Sequence, residues 1–278
     1  MTILNAPTPS SLAPDEVIEA PVRRVHPLAW LILIGIGLYF FVPLILTFWW
    51  SLRAEKDILG FEAYGRLFAD ANFWSSLAET VVDSIATIVL SLLIIVPTAF
   101  WVTLRLPKLR PAVEFVTLLP FVIPPVVLVL GILRLYARPP LLLTSTYGSS
   151  RLVLICIYAA ISFPYMFRSV DTGLRAIDVR SLTEAAQTLG AGWATILGRV
   201  ILPNIRVALL SGSLLTFAIV FGEYAIAVYM AQHTFGPFMA NLTRSKVYEP
   251  AAMAIVAVAI VWVAMVMISY VTRPRDRR

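Results

Sequence analysis

Six long apolar runs follow one another along the chain, and polar segments separate them. They lie at about 28–50, 84–104, 113–133, 152–168, 207–230 and 250–272. A helix needs roughly 20 mainly apolar residues to cross a hydrocarbon core of about 30 Å. The runs lack the alternation of barrel strands, and backbone exposed to lipid must satisfy its own hydrogen bonds. The pattern therefore predicts an all-α, polytopic membrane protein with six transmembrane helices within residues 27–273.

The composition agrees with this fold class, since 59% of the residues are apolar, 14% are charged and the mean hydropathy is +0.85. The net charge of +6 requires no nucleic-acid partner, because basic residues at membrane flanks meet anionic headgroups. Residues 1–26 are rich in Pro, Ser and Ala, which predicts a flexible cytoplasmic tail. Residues 274–278 form a second predicted cytoplasmic tail.

The distribution of basic residues predicts the orientation of the chain in the membrane. Of the 22 Lys and Arg residues, 14 fall on the side that holds both termini and the loop 178–203, and 8 fall on the other side. Basic residues in short loops stay in the cytoplasm. We therefore expect both termini and this loop to be cytoplasmic.

Residues suited to catalysis or metal binding are scarce in this chain. Cys156 is the single cysteine, and His26 and His233 lie far apart on opposite predicted faces of the membrane. Such sites need several ligands, or a nucleophile with its base. We expect no catalytic residue and no metal site, and the chain lacks the glycine-rich loop that binds ATP.

Prolines interrupt the predicted third span. Each proline removes a helical hydrogen bond, and the tandem pair Pro124-Pro125 should bend or break this span. Membranes tolerate a break where the freed carbonyls face protein or a water-filled cavity, and transport pathways often contain such broken helices. A translocation path and an ordinary packing kink are the two interpretations.

Glu223 is the carboxylate that lies clearly within a predicted span. A charge there costs roughly 2.5 to 3.5 kcal/mol on insertion scales, so it normally faces a cavity, a partner or an ion. One interpretation places it on a translocation path with Ser213, Thr216 and Tyr224, where an acid favours a cationic solute. The other places it near the external end of the span, solvated or paired with a basic residue, either Arg244 or Lys246.

The loop 178–203 has the local signals of a short helical hairpin. Asp178 or Ser181 can cap a helix, and Ser181 with Glu184 has the spacing of a capping box. Gly190 can adopt the left-handed conformation that ends a helix, and Pro203 prevents a simple continuation into the next span.

A small apolar face is predicted on this helix, formed by Leu182, Ala185, Ala186 and Leu189. It suits docking into a groove on another protein. A helix packed within its own bundle is the alternative.

The hairpin resembles the signature of the permease subunits of binding-protein-dependent ATP-binding-cassette importers of the type I fold. That signature is Glu-Ala-Ala, three residues, Gly, nine residues, an aliphatic residue, any residue and Leu-Pro. It is filled here with the spacing intact, and Val200 stands where Ile is usual; the matching residues are Glu184, Ala185, Ala186, Gly190, Val200, Leu202 and Pro203. The segment Phe61 to Phe68 looks like the family's external helix, and Leu119 to Pro125 looks like its third span.

The resemblance implies a function and a set of partners. Residues 184–190 would form a coupling helix in a cleft of a nucleotide-binding ATPase subunit, with Leu202 and Pro203 completing the coupling hairpin. ATP and magnesium would bind to that partner, and no cofactor to this chain. A second permease, identical or homologous, would enclose the path, and an extracytoplasmic solute-binding protein would deliver the solute. The implied location is the bacterial inner membrane.

The solute is the least determined part of this interpretation. The segment Thr216 to Met230 looks most like the spermidine/putrescine-type branch, and we expect a polyamine first, with ferric ion and aminophosphonate as alternatives. From other classes, a membrane-embedded enzyme would need a nucleophile with a base or a metal cluster. An ion-coupled secondary carrier would usually need several charges within its spans or inverted repeats.

Overall fold

The computed structural model describes residues 27–53, 59–139 and 141–272. Both predicted tails, 1–26 and 274–278, lie outside the described residues. The chain forms two compact units, Met1–Ile45 and Leu46–Arg278. In the first unit, the described residues belong to one apolar helix with mostly exposed side chains. All packing discussed below lies in the second unit.

The described residues form helices and no strand. In chain order they are α1 Pro27–Ser51, α2 Glu62–Ala69, α3 Ala71–Leu104, α4 Arg110–Val122, α5 Pro125–Tyr136, α6 Tyr147–Arg175, α7 Val179–Thr188, α8 Trp193–Thr195, α9 Leu202–Asn204, α10 Arg206–Phe221, α11 Ala225–Tyr229, α12 Phe235–Ser245 and α13 Glu249–Thr272. A 3-10 turn, Pro107–Leu109, precedes α4, and a π-helical segment, Ile196–Ile201, connects α8 to α9.

Four helices, α1, α3, α6 and α13, are long and apolar enough to cross a membrane. Two bent pairs meet the same test. Pro107–Val122 and Pro125–Tyr136 meet at 92°, and Trp193–Asn204 and Arg206–Phe221 meet at 80°. If each bent pair is one span, the described residues contain six, which is the number that the hydrophobic pattern predicts.

The helix bounds differ from the predicted spans at three places. Helix α3 begins at Ala71, 13 residues before the predicted second span begins at 84. The fourth span is longer than 152–168 and covers Tyr147–Arg175. The fifth span was predicted to reach 230, but α10 ends at Phe221. Hydropathy located the apolar centres of these helices but not their polar ends.

Helices α3, α6 and α10 pack against one another and form the centre of the second unit. Small residues bring α6 and α10 together. A Cβ added at Gly173 would collide with the Cβ of Ala208 and lie 3.3 Å from the Cβ of Ile205. Small residues at a helix interface let two backbones approach closely in a membrane, where the hydrophobic effect does not drive helices together.

Two apolar cores lie at opposite ends of α3. At the hairpin end, the end that carries α7, Phe100 packs with residues of α6, α7 and the segment 196–205. At the far end, Phe73 packs with residues of α2, α12 and α13. The Nε of Arg66 lies 2.9 Å from a carboxylate oxygen of Glu249, and this ion pair ties α2 to the start of α13.

A polar clasp joins α3 to α6 at the far end. The Nε of Arg151 donates to Oδ1 of Asp83 at 2.7 Å, and an Nη of Arg151 donates to the carbonyl of Glu79 at 3.2 Å. One turn away, the hydroxyl of Tyr147 donates to the Glu79 carboxylate at 2.5 Å. Asp83 is fully buried, so the arginine compensates a charge that would otherwise be costly in the bundle.

Replacing Gly173 by Ala tests the close packing of α6 on α10. We expect the added methyl group to lower the free energy of unfolding by about 1 to 3 kcal/mol, because the rigid Cβ of Ala208 occupies the space. The matched control is Gly148→Ala on the same helix, where nothing lies within 4 Å and the gain in helix propensity should leave stability equal or higher. Unfolding of both variants in detergent measures the difference, and equal stability would contradict this packing.

Candidate functional site

The first turn of α7 is capped by Asp178. Its Oδ1 accepts from the Ser181 N–H at 3.1 Å, and its Oδ2 accepts from the Ser181 hydroxyl at 2.6 Å. These hydrogen bonds favour the ionised carboxylate and hold the pKa of Asp178 below its ordinary value, the side-chain hydroxyl being the larger cause. The predicted capping box of Ser181 with Glu184 does not form, because α7 begins at Val179 and Ser181 lies within it. The Glu184 carboxylate pairs with the Nε of Arg180 at 2.8 Å.

Helix α7 ends at Thr188, and Gly190 makes the predicted left-handed turn just after its C-cap, Leu189. Gly190 has a φ of +80°, the left-handed conformation that glycine adopts without strain. The Gly190 N–H donates to the carbonyl of Gln187 at 2.9 Å, and the Ala191 N–H donates to that of Ala186 at 3.0 Å. These two bonds are the pair of a Schellman motif, and they turn the chain sharply back towards the bundle.

The two sides of α7 have different environments. Val179, Thr183 and Ala186 are buried, and Val179 and Ala186 belong to the same core as Ile196 and Ile201. The predicted apolar face is therefore divided. Leu182 and Ala186 pack on the protein's own core, which agrees with the alternative of a helix packed within its own bundle, and a contact of Ala186 with an ATPase stays a prediction.

Ala185 and Leu189 lie on the other side of α7 and are exposed, Leu189 to 88%. Glu184, which precedes Ala185 in the same helix, is also exposed. This exposed side of α7 is the surface that remains for docking into a groove of another protein.

The chain returns to the membrane through a distorted helix. The Leu202 N–H donates to the carbonyl of Leu197, which is the five-residue spacing of the π segment. Pro203 follows immediately and has no N–H to donate, and the 80° bend lies two residues later, between Asn204 and Arg206. Leu202 packs partly against the core, whereas Pro203 is exposed.

The third span breaks at the predicted prolines. Helix α4 ends at Val122, Pro124 is extended with a ψ of 133°, and α5 begins at Pro125. The N–H groups of Val126 and Val127 belong to the first turn of α5 and so have no acceptor within their own helix. Both residues are exposed, and this half-helix starts inside the predicted span.

Glu223 lies at a second break, between α10 and α11. Its Oε1 accepts from the Ile226 N–H at 2.9 Å, and its Oε2 accepts from the Ala227 N–H at 3.2 Å and from the Tyr158 hydroxyl at 3.0 Å. The carboxylate therefore caps the short helix α11 and anchors it to α6. Neither Arg244 nor Lys246 forms an ion pair with it in the part of the chain that the structure describes, so the predicted pairing is wrong.

The remaining path residues divide between the two breaks and α10. Helices α5 and α11, which begin at these breaks, contact each other, so Pro124 and Pro125 belong to the same region as Tyr224. Tyr224 is 44% exposed. Ser213 donates to the carbonyl of Leu209 at 2.8 Å, and Thr216 is fully buried with no partner for its hydroxyl among the described residues. Their role in a path stays a prediction.

Sequence reasoning missed the polar groups that partner one another inside the bundle. Besides Tyr158 and the Asp83–Arg151 pair, an Nη of Arg110 at the start of α4 pairs with the carboxylate of Asp171 on α6. The sequence does contain one signal for these pairs, since the charged residues lie at or near the ends of the apolar runs. In the described part of the chain, no three His, Cys, Asp or Glu side chains are placed to share a metal ion.

Replacing Glu223 by Gln tests its structural role. The glutamine side chain has one accepting oxygen, and its NH₂ group cannot accept from the N–H groups that the second carboxylate oxygen binds. At least one N–H of α11 then loses its acceptor, so we expect the free energy of unfolding to fall by about 1 to 3 kcal/mol. Tyr158→Phe removes one of the three hydrogen bonds and should cost less, about 0.5 to 1.5 kcal/mol. Thermal unfolding in detergent measures both. Unchanged stability in both variants would argue against this anchor.

Known proteins resemble this chain in both sequence and fold. Residues 95–278 match the family described as "binding-protein-dependent transport system inner membrane component". A sulfate transport system permease protein of Synechocystis is 31% identical over 207 residues, which is 71% of this chain and 74% of that protein. A molybdenum transport system permease protein of Mycobacterium tuberculosis is 30% identical over 210 residues, 70% of this chain and 76% of that protein.

The fold comparison agrees with the sequence comparison. The structure of a bacterial alginate ABC transporter, in complex with an alginate-bound periplasmic protein, contains a chain that aligns with a TM-score of 0.69. The alignment covers 90% of this chain and 95% of that one at 15% identity, so it shows the fold alone. The sequence relatives do not support the polyamine branch that the segment 216–230 favoured, since their names specify sulfate and molybdenum. By the match over residues 95–278, the chain belongs to the family of binding-protein-dependent transport system inner membrane components.

Proposed function

We propose that this chain is the permease subunit of an ATP-driven importer for a small oxyanion of the sulfate or molybdate class. The observation that carries the solute class is the identity of 30 to 31% with sulfate and molybdenum permease proteins over about 70% of the chain. With a second permease it forms the translocation path. An external solute-binding protein delivers the anion, and both termini face the cytoplasm.

The chemistry of the two helix breaks supports an anion over a cation. The Glu223 carboxylate accepts three hydrogen bonds from the chain itself, so it is not a free ligand for an amine or a ferric ion. At the other break, α5 presents the N–H groups of Val126 and Val127 at the positive end of its dipole. Half-helix N-termini of this kind face anionic groups of the substrate in other transporters.

The coupling role rests on the divided surface of α7. Val179, Thr183 and Ala186 fix the helix on the bundle, while Ala185 and Leu189 remain exposed for the ATPase subunit. ATP and magnesium bind to that partner. Closure of the ATPase then moves α7, and the spans alternate between inward and outward access.

Transport by reconstituted vesicles tests the solute class. Vesicles that contain the chain with its second permease, its ATPase and its binding protein should accumulate labelled sulfate or molybdate when ATP is supplied inside. Excess unlabelled oxyanion should abolish this uptake, and putrescine should leave it unchanged. Uptake of putrescine or ferric ion in place of the oxyanions would refute the proposed solute. Uptake that follows an ion gradient without ATP hydrolysis would identify a secondary carrier.

Replacing Leu189 by Glu tests the docking surface. A carboxylate in an apolar contact loses its hydration, so we expect the affinity for the ATPase subunit to fall at least about tenfold, or roughly 1.4 kcal/mol. Leu109→Glu is the matched control, because Leu109 is also exposed at the hairpin end but lies outside α7. Retention of the ATPase during purification measures both. If both variants lose the ATPase equally, or if neither loses it, Leu189 does not contact the ATPase subunit.

A further inference from the structure

Four side chains connect the returning segment of the hairpin to the end of α3. We call them the aromatic clamp: Phe100, Trp101, Arg105 and Trp193. The ring centroids of Trp101 and Trp193 lie 4.9 Å apart, and those of Phe100 and Trp193 lie 6.4 Å apart. The guanidinium of Arg105 lies 5.7 Å from the Trp101 ring centroid and 5.4 Å from that of Trp193. One cation thus contacts two tryptophan rings, a favourable arrangement for a guanidinium.

The position of Trp193 makes this cluster more than local packing. Trp193 is the first residue of α8 and follows the turn at Gly190, whose hydrogen bonds fix it to the end of α7. The other three members belong to the last turns and the C-cap of α3. Trp193 therefore adds an aromatic contact with α3 to the core in which Phe100 already packs against residues of α7.

Helix α3 is suited to carry such a displacement across the membrane. Its 34 residues form one helix, which at 1.5 Å per residue extends about 50 Å. The third and fifth spans, in contrast, are bent at internal breaks. At the far end α3 holds the Asp83–Arg151 clasp, and the Thr80 hydroxyl accepts from the Phe235 N–H at 2.8 Å. The clamp and these contacts lie at opposite ends of one continuous helix, in which Pro97 lies just before Phe100.

We propose that Trp193 is a positioning residue that transmits the movement of α7 to α3 and so to the polar contacts at the far end of the bundle. This inference rests on the proposed function, because it assumes that an ATPase moves α7. Without the clamp, α7 still docks and the ATPase still hydrolyses ATP, but the far end of α3 no longer responds.

Distance measurements in the assembled transporter test this role. Spin labels are placed on Val82 of α3 and Val258 of α13, both exposed, in a Cys156→Ser background that removes the single native cysteine. In the complex with the ATPase, trapping with ATP and vanadate should shift the label distance by several ångströms. Trp193→Ala should abolish this shift while ATP hydrolysis continues, and Trp193→Phe should retain most of it.

Two further variants make the result decisive. Trp262→Ala, on an exposed tryptophan of α13, should leave the shift unchanged. Trp101→Ala removes the ring that faces Trp193 and should abolish the shift in the same way. It therefore tests the inference even if the Trp193→Ala variant does not assemble with the ATPase. A full shift in the assembled clamp variants, or no shift in the wild-type complex, would overturn the inference. Failure of the wild-type chain to bind any ATPase would overturn the proposed function and this inference with it.

Discussion

The packing of α7 on the segment that returns to the membrane is the contact on which the candidate site depends. Val179, Thr183 and Ala186 are buried on this side, in a core that includes Ile196 and Ile201. Because interiors are close-packed, a helix seated in this way moves with its neighbours rather than independently. The same contact determines which surface of α7 is left for a partner, namely the side with Ala185 and Leu189. One side of this short helix is therefore buried in the bundle and the other is exposed.

The features that the sequence predicted well are those that a single residue imposes on its own backbone. Pro124 and Pro125 restrict the chain locally, and the third span breaks beside them. Gly190 has a positive φ, because the two hydrogen bonds that close the end of α7 require a left-handed residue at this position. The faces of α7 were not predictable in this way. Its apolar residues extend around much of the helix, and only the position of the segment 196–205 determines which of them are buried.

The polar contacts between helices could not be predicted from hydropathy. Asp83 and Arg151 lie one residue before the predicted second and fourth spans, because each charge, scored alone, ends an apolar run. In the folded bundle the two charges form an ion pair with each other, which offsets part of the desolvation that either would suffer alone. Their partnership depends on the register of α3 against α6, two helices that are distant in sequence. The helices therefore extend beyond the predicted spans at these two ends.

Glu223 shows why the charge of a residue does not determine the charge of the solute. A carboxylate in a span must be compensated, and a cationic solute is one way to achieve this. Here the chain itself supplies the compensation, from the Tyr158 hydroxyl and the first N–H groups of α11. The close approach of α12 restricts this break further, since a Cβ at Gly236 would lie 2.6 Å from the Glu223 carbonyl oxygen.

The Glu223 carboxylate therefore caps a half-helix rather than binding a cation. In the proposed function, the electrostatic attraction for a solute comes from other groups. At the start of α5 these are backbone N–H groups without a carboxylate cap, since the residue before the helix is Pro124. An uncapped helix start favours a negative ligand, whereas the capped start of α11 does not. The two breaks meet where α5 contacts α11, so the uncapped helix start and the hydrogen-bonded Glu223 carboxylate lie in one region of the bundle.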